Sequence, residues 1–151
     1  MIQRIQSIYL ALAAVISGVT TFLTIGTFIK GDSQFIYSMW NVKENVLQNA
    51  LYDNSIFYLG MIGLVIAVLA LITLFFYKNR KKQISYCTVL MGLNLIWVFL
   101  VLFAVPKFIL KAEIEFNQVI AIMLAPIILI WLAQKAIHKD EKTVRAADRL
   151  R

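Results

Sequence analysis

The segment "SIFYLGMIGLVIAVLALITLFFY", from Ser55 to Tyr77, contains no charged residue along its whole length. A bilayer core about 30 Å thick is crossed by roughly 20 helical residues. A helix also satisfies every backbone donor and acceptor inside lipid. The segment is therefore predicted to be a transmembrane helix.

Three other apolar blocks flank this segment. The chain is 61% hydrophobic and only 15% charged, whereas a soluble domain has about 25% charged residues. The blocks do not alternate between apolar and polar residues, so an outer-membrane barrel is not indicated. We expect one all-α integral membrane domain over residues 1–151, built as a four-transmembrane-helix bundle. The predicted helices cover about 5–29, 55–77, 84–105 and 116–134.

The distribution of basic residues predicts the orientation, because short loops rich in Lys and Arg stay in the cytoplasm. Arg4 precedes the first helix, "KNRKK" lies in the predicted inner loop 78–83, and the tail 135–151 holds six more Lys and Arg residues. The predicted outer loops, 30–54 and 106–115, hold four lysines against five acidic residues. We therefore expect both termini in the cytoplasm of a multi-pass membrane protein. The net charge of +7 then reflects topology, and no nucleic acid is expected as a partner.

The outer loops carry strand signals. The stretch "KFILKAEIEF" alternates between apolar and charged residues, and "QFIYSMWNV" is rich in β-formers. We predict a small extracytoplasmic cap, with possible short strands in 34–42 and 107–116 that could pair. A short amphipathic helix is predicted within "KENVLQNALYDN", residues 43–54. The alternative is an irregular loop anchored in the headgroups by its aromatic side chains.

Small and polar residues within the blocks are candidates for helix packing, because lipid gives no hydrophobic drive for helices to associate. The first block has a predicted face of Ser and Thr, the second a seam of Gly and Ala, the third a central Asn, and the fourth a proline. The same Thr face and Asn could instead line a polar path, although no charged residue lies within the predicted spans. The residues predicted to pack the helices are Thr20, Thr24, Gly60, Gly63, Asn94 and Pro126.

The tail after the fourth block is predicted to be a cytoplasmic C-terminal helix. His138, Lys142, Arg145 and Arg149 fall on one helical stripe. Such a helix could simply fix topology and rest on anionic lipid headgroups. It could also be a docking surface for a protein partner. Both interpretations stay open.

The two ends of the chain also carry specific motifs. "MIQRIQSIYL" and "KDEKTVRAADRLR" resemble the ends of a family of small four-helix inner-membrane proteins from Bacteroidota, the domain of unknown function 4293. The resemblance implies a four-helix topology in the bacterial inner membrane and supplies no activity. It directs attention to Gln3, Arg4 and Gln6 near the start and to the charged tail. We expect the two ends to meet, with a tail carboxylate near Arg4 or the "KNRKK" loop. The residues assigned to tail docking or topology are Arg4, Asp140, Glu141, Val144, Arg145, Asp148, Arg149 and Arg151.

The sequence indicates no catalytic residue, cofactor or metal site. One cysteine excludes a paired-cysteine redox enzyme, and no P-loop or H-E-x-x-H motif occurs. We expect a non-enzymatic scaffold or accessory subunit, acting through anionic lipid headgroups on the cytoplasmic side and through a protein partner or a homo-oligomer. The alternative is a carrier or channel for an uncharged or lipid-like small molecule. An enzyme using acidic residues of the outer loops is a weaker third option.

Overall fold

The structure, a computed structural model, describes residues 3–30, 33–44, 52–53, 56–111 and 113–149. It is mostly helical, with a small antiparallel sheet. The helices are α1 (Gln3–Thr20), α2 (Phe57–Phe75), α3 (Arg80–Phe99) and α4 (Val119–Arg149). A 3-10 turn, Phe76–Lys78, follows α2, and a π-helical segment, Leu100–Leu110, follows α3. The strands are β1 (Thr24–Lys30), β2 (Ser33–Ser38), β3 (Val42–Glu44), β4 (Tyr52–Asp53) and β5 (Glu115–Phe116).

Three helical stretches are long and apolar enough to cross a membrane. They are Phe57–Phe75, Arg80–Leu110 and Val119–Val144, while the apolar part of α1, Ile5–Thr20, is shorter. Their outer faces remain apolar, and many large aliphatic side chains there are more than half exposed. In a soluble protein this much exposed apolar surface would favour aggregation, so the surface suits lipid contact.

The four helices pack in a ring in which α1 and α3 each contact α2 and α4. The sheet and the start of α2 lie at one end, here called the sheet end. The start of α1 and the later part of α4 lie at the other, here called the terminal end. Each helix buries a seam with steps of three and four residues, as in a coiled coil. The seam residues are Gln6, Leu10, Ala13, Ser17 and Thr20 on α1, Leu59, Gly63, Ile66, Ala70 and Thr73 on α2, Gln83, Cys87, Leu90, Asn94 and Trp97 on α3, and Met123, Pro126, Ile130, Ala133, Ile137 and Asp140 on α4.

The first predicted helix, 5–29, was wrong in its second half. The chain leaves the helix at Thr20 and forms β1 from Thr24 to Lys30. The hydroxyl groups of Thr20 and Thr21 both donate to the carbonyl of Ser17, at 3.0 and 2.8 Å. The strand segment "TIGTFIK" is rich in β-branched and aromatic residues, which favour a strand. An unbroken apolar run does not separate a helix from a buried strand.

The sheet has five strands in the order β4-β3-β2-β1-β5, and all neighbours are antiparallel. The all-α prediction therefore needs the addition of this sheet. Gly26 is paired with Phe116, and a Cβ atom at Gly26 would lie 2.5 Å from the carbonyl oxygen of Glu115. Only glycine allows β5 to approach this closely.

Strands occur within both predicted outer segments, but their extent and pairing differ from the prediction. Residues 107–110 belong to the π-helical segment, which ends where Lys111 adopts a left-handed φ of 50°. Strand β5 pairs with β1, which had been assigned to a helix. The predicted amphipathic helix within 43–54 falls mostly on 45–51, outside the described residues, while its flanks belong to β3 and β4.

A hydrogen bond joins the π-helical segment to the sheet, and its acceptor is a backbone carbonyl that lacks a partner within the helix. A π-helix bonds each carbonyl to the N–H five residues later. Five residues after Val101 stands Pro106, which has no N–H. The phenol of Tyr37, on β2, instead donates to the Val101 carbonyl at 3.1 Å. Burial, with a smaller contribution from nearby Tyr58, raises the pKa of the Tyr37 phenol.

The fourth helix and the tail form one element. The prediction gave a span of 116–134 with a tail helix continuing from it, and α4 runs without a break from Val119 to Arg149. Pro126 lies within its second turn and is buried. The tail helix expected from the sequence is therefore present as far as residue 149.

Candidate functional site: a buried polar layer and the adjoining surface of α4

The seams of all four helices finish in polar side chains at the terminal end. We call Gln6, Thr73, Gln83 and Asp140 the polar layer; all four are buried. Burying polar groups costs free energy unless they are hydrogen-bonded. Their partners therefore decide how this end of the molecule is held together.

Gln6 and Asp140 join the two ends of the chain. They are 4% and 6% exposed, and Nε2 of Gln6 donates to Oδ2 of Asp140 at 2.5 Å. A hydrogen bond to a charged acceptor is stronger than one between neutral groups. Nη1 of Arg80, at the start of α3, donates to the main-chain oxygen of Asp140 at 3.3 Å. Helices α1, α3 and α4 thus meet at one residue.

The other half of the polar layer fastens the turn between α2 and α3. Nε2 of Gln83 donates to the carbonyl of Thr73 at 3.3 Å. The Asn79 side chain accepts from the backbone N–H of Lys82 and caps the start of α3. The bond between Gln83 and Thr73 therefore closes the turn around the "KNRKK" segment, and the bond between Asn79 and Lys82 lies within it.

Asp140 and the "KNRKK" loop, both named in the predicted contact between the ends, lie together, but the link between them does not use the carboxylate. Arg80, of the "KNRKK" segment, reaches Asp140 through the backbone, and the carboxylate bonds to Gln6. The side chains of Arg4, Arg145, Asp148 and Arg149, and all of Arg151, lie outside the described part of the structure.

The outward surface of α4 beyond the polar layer is exposed. Lys139, Lys142, Thr143 and Val144 are all exposed. Val144 is an exposed apolar residue among polar ones. Glu141 is half-buried.

Two tryptophan rings pack against the predicted seam of small residues on α2. A Cβ atom at Gly63 would lie 2.7 Å from Cζ2 of Trp97 and 2.8 Å from Oγ1 of Thr21, and one at Gly60 would lie 2.6 Å from the Trp40 ring. Nε1 of Trp97 donates to the carbonyl of Leu59 at 2.9 Å. Gly60 and Gly63 are thus packing residues, while their partners Trp40 and Trp97 were missed. The only signal in the sequence was the presence of two closely spaced glycines on α2 and of large tryptophan side chains in other segments.

We expect Gly63→Ala to lower the free energy of unfolding by about 1–3 kcal/mol, because the new methyl group overlaps a ring that its hydrogen bond holds in place. Gly92→Ala, on α3, is the matched control, since a Cβ atom there meets nothing within 4 Å. Ala has the higher helix propensity, so the control should be neutral or slightly stabilising. Thermal unfolding of both variants in detergent measures the difference, and equal effects would contradict this packing.

Asn94 and Thr24, the other two polar residues predicted to pack the helices, differ in their burial. Asn94 is fully buried and its Nδ2 donates to the Leu90 carbonyl at 3.0 Å. Among the described residues, Oδ1 of Asn94 and Oγ of Ser17 are buried without a partner. Thr24 lies exposed on β1. The predicted polar face of the first helix therefore stops at Thr21, and Thr24 does not continue it.

Nearly the whole chain matches one known protein family. The family model described as Domain of unknown function (DUF4293) matches residues 2–150. The chain belongs to this family. No curated protein and no solved structure matches it. The resemblance seen in the sequence at both ends is thereby confirmed as family membership.

Both partners of the contact between the ends lie inside the DUF4293 domain, because the matched range includes Gln6 and Asp140. Within the described residues of this DUF4293 chain, no three His, Cys, Asp or Glu side chains are grouped so that they could hold a metal. Cys87 is buried in the α3 seam. The arrangement at the terminal end holds α1, α3 and α4 together.

Proposed function

We propose that this protein is a non-enzymatic scaffold or accessory subunit of the bacterial inner membrane, with both termini in the cytoplasm. It would present the last turns of α4 to a protein partner or to a second copy of itself. The observation that carries this proposal is the Gln6–Asp140 contact. It fixes α4 against α1 just before Lys142, Thr143 and Val144, so those residues project on a rigid helix.

Membrane insertion as a four-transmembrane-helix bundle is supported by the apolar stretches and their exposed apolar faces. The orientation is supported by charge. Lys81, Lys82, Lys139 and Lys142 are exposed at the terminal end. An excess of such residues near the ends of spans keeps that side in the cytoplasm.

Cysteine labelling tests the orientation. In a Cys87→Ala background, Lys107→Cys at the sheet end should react with a membrane-impermeant maleimide in intact cells. Lys81→Cys and Lys142→Cys should react only after the membrane is opened, because both positions are exposed at the end that we propose faces the cytoplasm. Labelling of Lys81→Cys in intact cells would invert the proposed arrangement.

Cross-linking in native membranes, followed by mass spectrometry, tests the scaffold role. The exposed Lys139 and Lys142 provide the reactive amines. The expected result is a stoichiometric cross-link to one partner or to a second copy. Val144→Asp should abolish it, and Gln118→Asp, exposed near the sheet end, should not. A monomer without cross-links in the unaltered protein would overturn the scaffold proposal.

The unpartnered atoms of Ser17 and Asn94 favour a second candidate function. A polar group of a transported, uncharged molecule could satisfy them. If so, Asn94→Cys in the Cys87→Ala background should react with a small hydrophilic thiol reagent while the protein stays folded. Complete protection would remove the carrier or channel proposal.

A further inference from the structure

A cleft of about 520 Å³ lies between α1 and α4 at the terminal end. One part of its lining is apolar or aromatic, and the other part is basic or imidazole. The lining residues are Ile5, Tyr9, Leu132, Lys135, Ala136, His138, Lys139 and Lys142.

The basic part of the cleft forms one face of α4. Lys135, His138, Lys139 and Lys142 follow one another at steps of three, one and three residues, which places them on the same side of the helix. All four are exposed. Nζ of Lys135 lies 5.2 Å from the centre of the Trp131 ring. Trp and Lys residues in this arrangement mark the level of lipid headgroups.

Asp140, the neighbour of Lys139 in sequence, does not neutralise this face. Asp140 is buried and its carboxylate is bonded to Gln6 on the other side of the helix. The cleft is therefore lined both by basic side chains and by the apolar side chains of Ile5 and Leu132.

We propose that this cleft binds one anionic glycerophospholipid. Its phosphate contacts the amines of Lys139 and Lys142, and one acyl chain lies over Ile5 and Leu132. Lysine is a common phosphate ligand, acting as a point charge. The proposal rests on the membrane assignment made above and not on which way the protein faces. It adds a bound lipid to the scaffold.

Native mass spectrometry of the purified full chain in detergent tests the site, with phosphatidylglycerol and phosphatidylcholine as probes. One phosphatidylglycerol should bind in preference to phosphatidylcholine. Each basic residue near an anionic surface contributes about fivefold in affinity. Lys139→Gln with Lys142→Gln should therefore weaken phosphatidylglycerol binding about twentyfold. The matched control, Lys81→Gln with Lys82→Gln, removes the same charge from the same end and should change binding less than twofold.

A steric variant separates the cleft from diffuse charge. Ala136→Trp fills the cleft without altering any charge, and should reduce phosphatidylglycerol binding while the melting temperature is kept. Equal losses in the two lysine pairs, equal binding of phosphatidylcholine, or full competition by soluble glycerol phosphate would each overturn the proposal. Labelling that inverts the orientation would refute the proposed topology and leave this binding result standing.

Discussion

Trp97→Ala is expected to lower the free energy of unfolding by about 3–5 kcal/mol, the largest loss we predict for any packing residue. The indole is fully buried, lies against Gly63, and donates to the Leu59 carbonyl at 2.9 Å. Removing it leaves a cavity between α2 and α3 and deletes one of the hydrogen bonds between them. Inside a membrane this packing matters more than apolar burial, since lipid is as apolar as the side chains. Unfolding of the purified protein in detergent measures the loss.

Two further variants distinguish the loss of the hydrogen bond from the loss of the packed ring. Trp97→Phe keeps most of the ring and loses the hydrogen bond, so about 1 kcal/mol should be lost. Trp131→Ala removes the same atoms from a residue that is 49% exposed, and its cost should be below about 1 kcal/mol. If Trp97→Ala were no worse than Trp131→Ala, the ring would not be holding α2 to α3.

The second span could be predicted from the sequence with small errors. The prediction of 55–77 for the second helix differs from Phe57–Phe75 by two residues at each end. The segment is apolar on all sides and bounded by polar residues, so length alone identifies it. The tail helix was predictable for a different reason, because its charges repeat with helical spacing.

The end of α1 could not be predicted in the same way. Residues 5–29 form one apolar block, and hydropathy treats the helix and the strand alike. The strand β1 depends on partners that are distant in sequence. It pairs with β2 on one side and with Glu115 and Phe116 on the other. Gly26 within the block was a local signal, since an isolated glycine in a strand often marks the close approach of another backbone.

The polar layer was partly visible in the sequence. Extending the seam Ile130, Ala133, Ile137 by three residues reaches Asp140, and extending Leu10 and Ala13 back by four reaches Gln6. Both residues continue an apolar stripe, which predicts burial. The prediction ended the membrane span at residue 134 and did not follow this apolar stripe into the tail helix that continues from it. The identity of the partners still required the tertiary structure, because Gln6 and Asp140 are 134 residues apart.

Gln6→Glu is expected to lower the free energy of unfolding by about 3 kcal/mol near neutral pH. The substitution replaces an amide donor with a second carboxyl group against Asp140, in a place where both side chains are buried. Two carboxylates at this distance cannot both be ionised without a large cost. The variant must therefore fold with an added proton or lose the contact between α1 and α4.

The pH dependence of the variant has a definite sign. The folded state of Gln6→Glu binds more protons than the unfolded state, since folding brings the two carboxyl groups together. Stability then falls as pH rises and recovers as pH is lowered. Unfolding measured between pH 5 and pH 8 should show this slope in Gln6→Glu, and a much smaller one in the unaltered protein.

A charge exchange provides the decisive control for this contact. Asp140→Asn alone keeps an acceptor oxygen and should cost about 1 kcal/mol, the difference between a charged and a neutral hydrogen bond. Combined with Gln6→Glu, it restores one amide opposite one carboxylate with the direction of donation reversed. The double variant should therefore be more stable than Gln6→Glu by about 2 kcal/mol, and its pH slope should disappear. Additive losses would mean that the two side chains do not meet, and α4 would then lack the attachment to α1 on which the proposed scaffold depends.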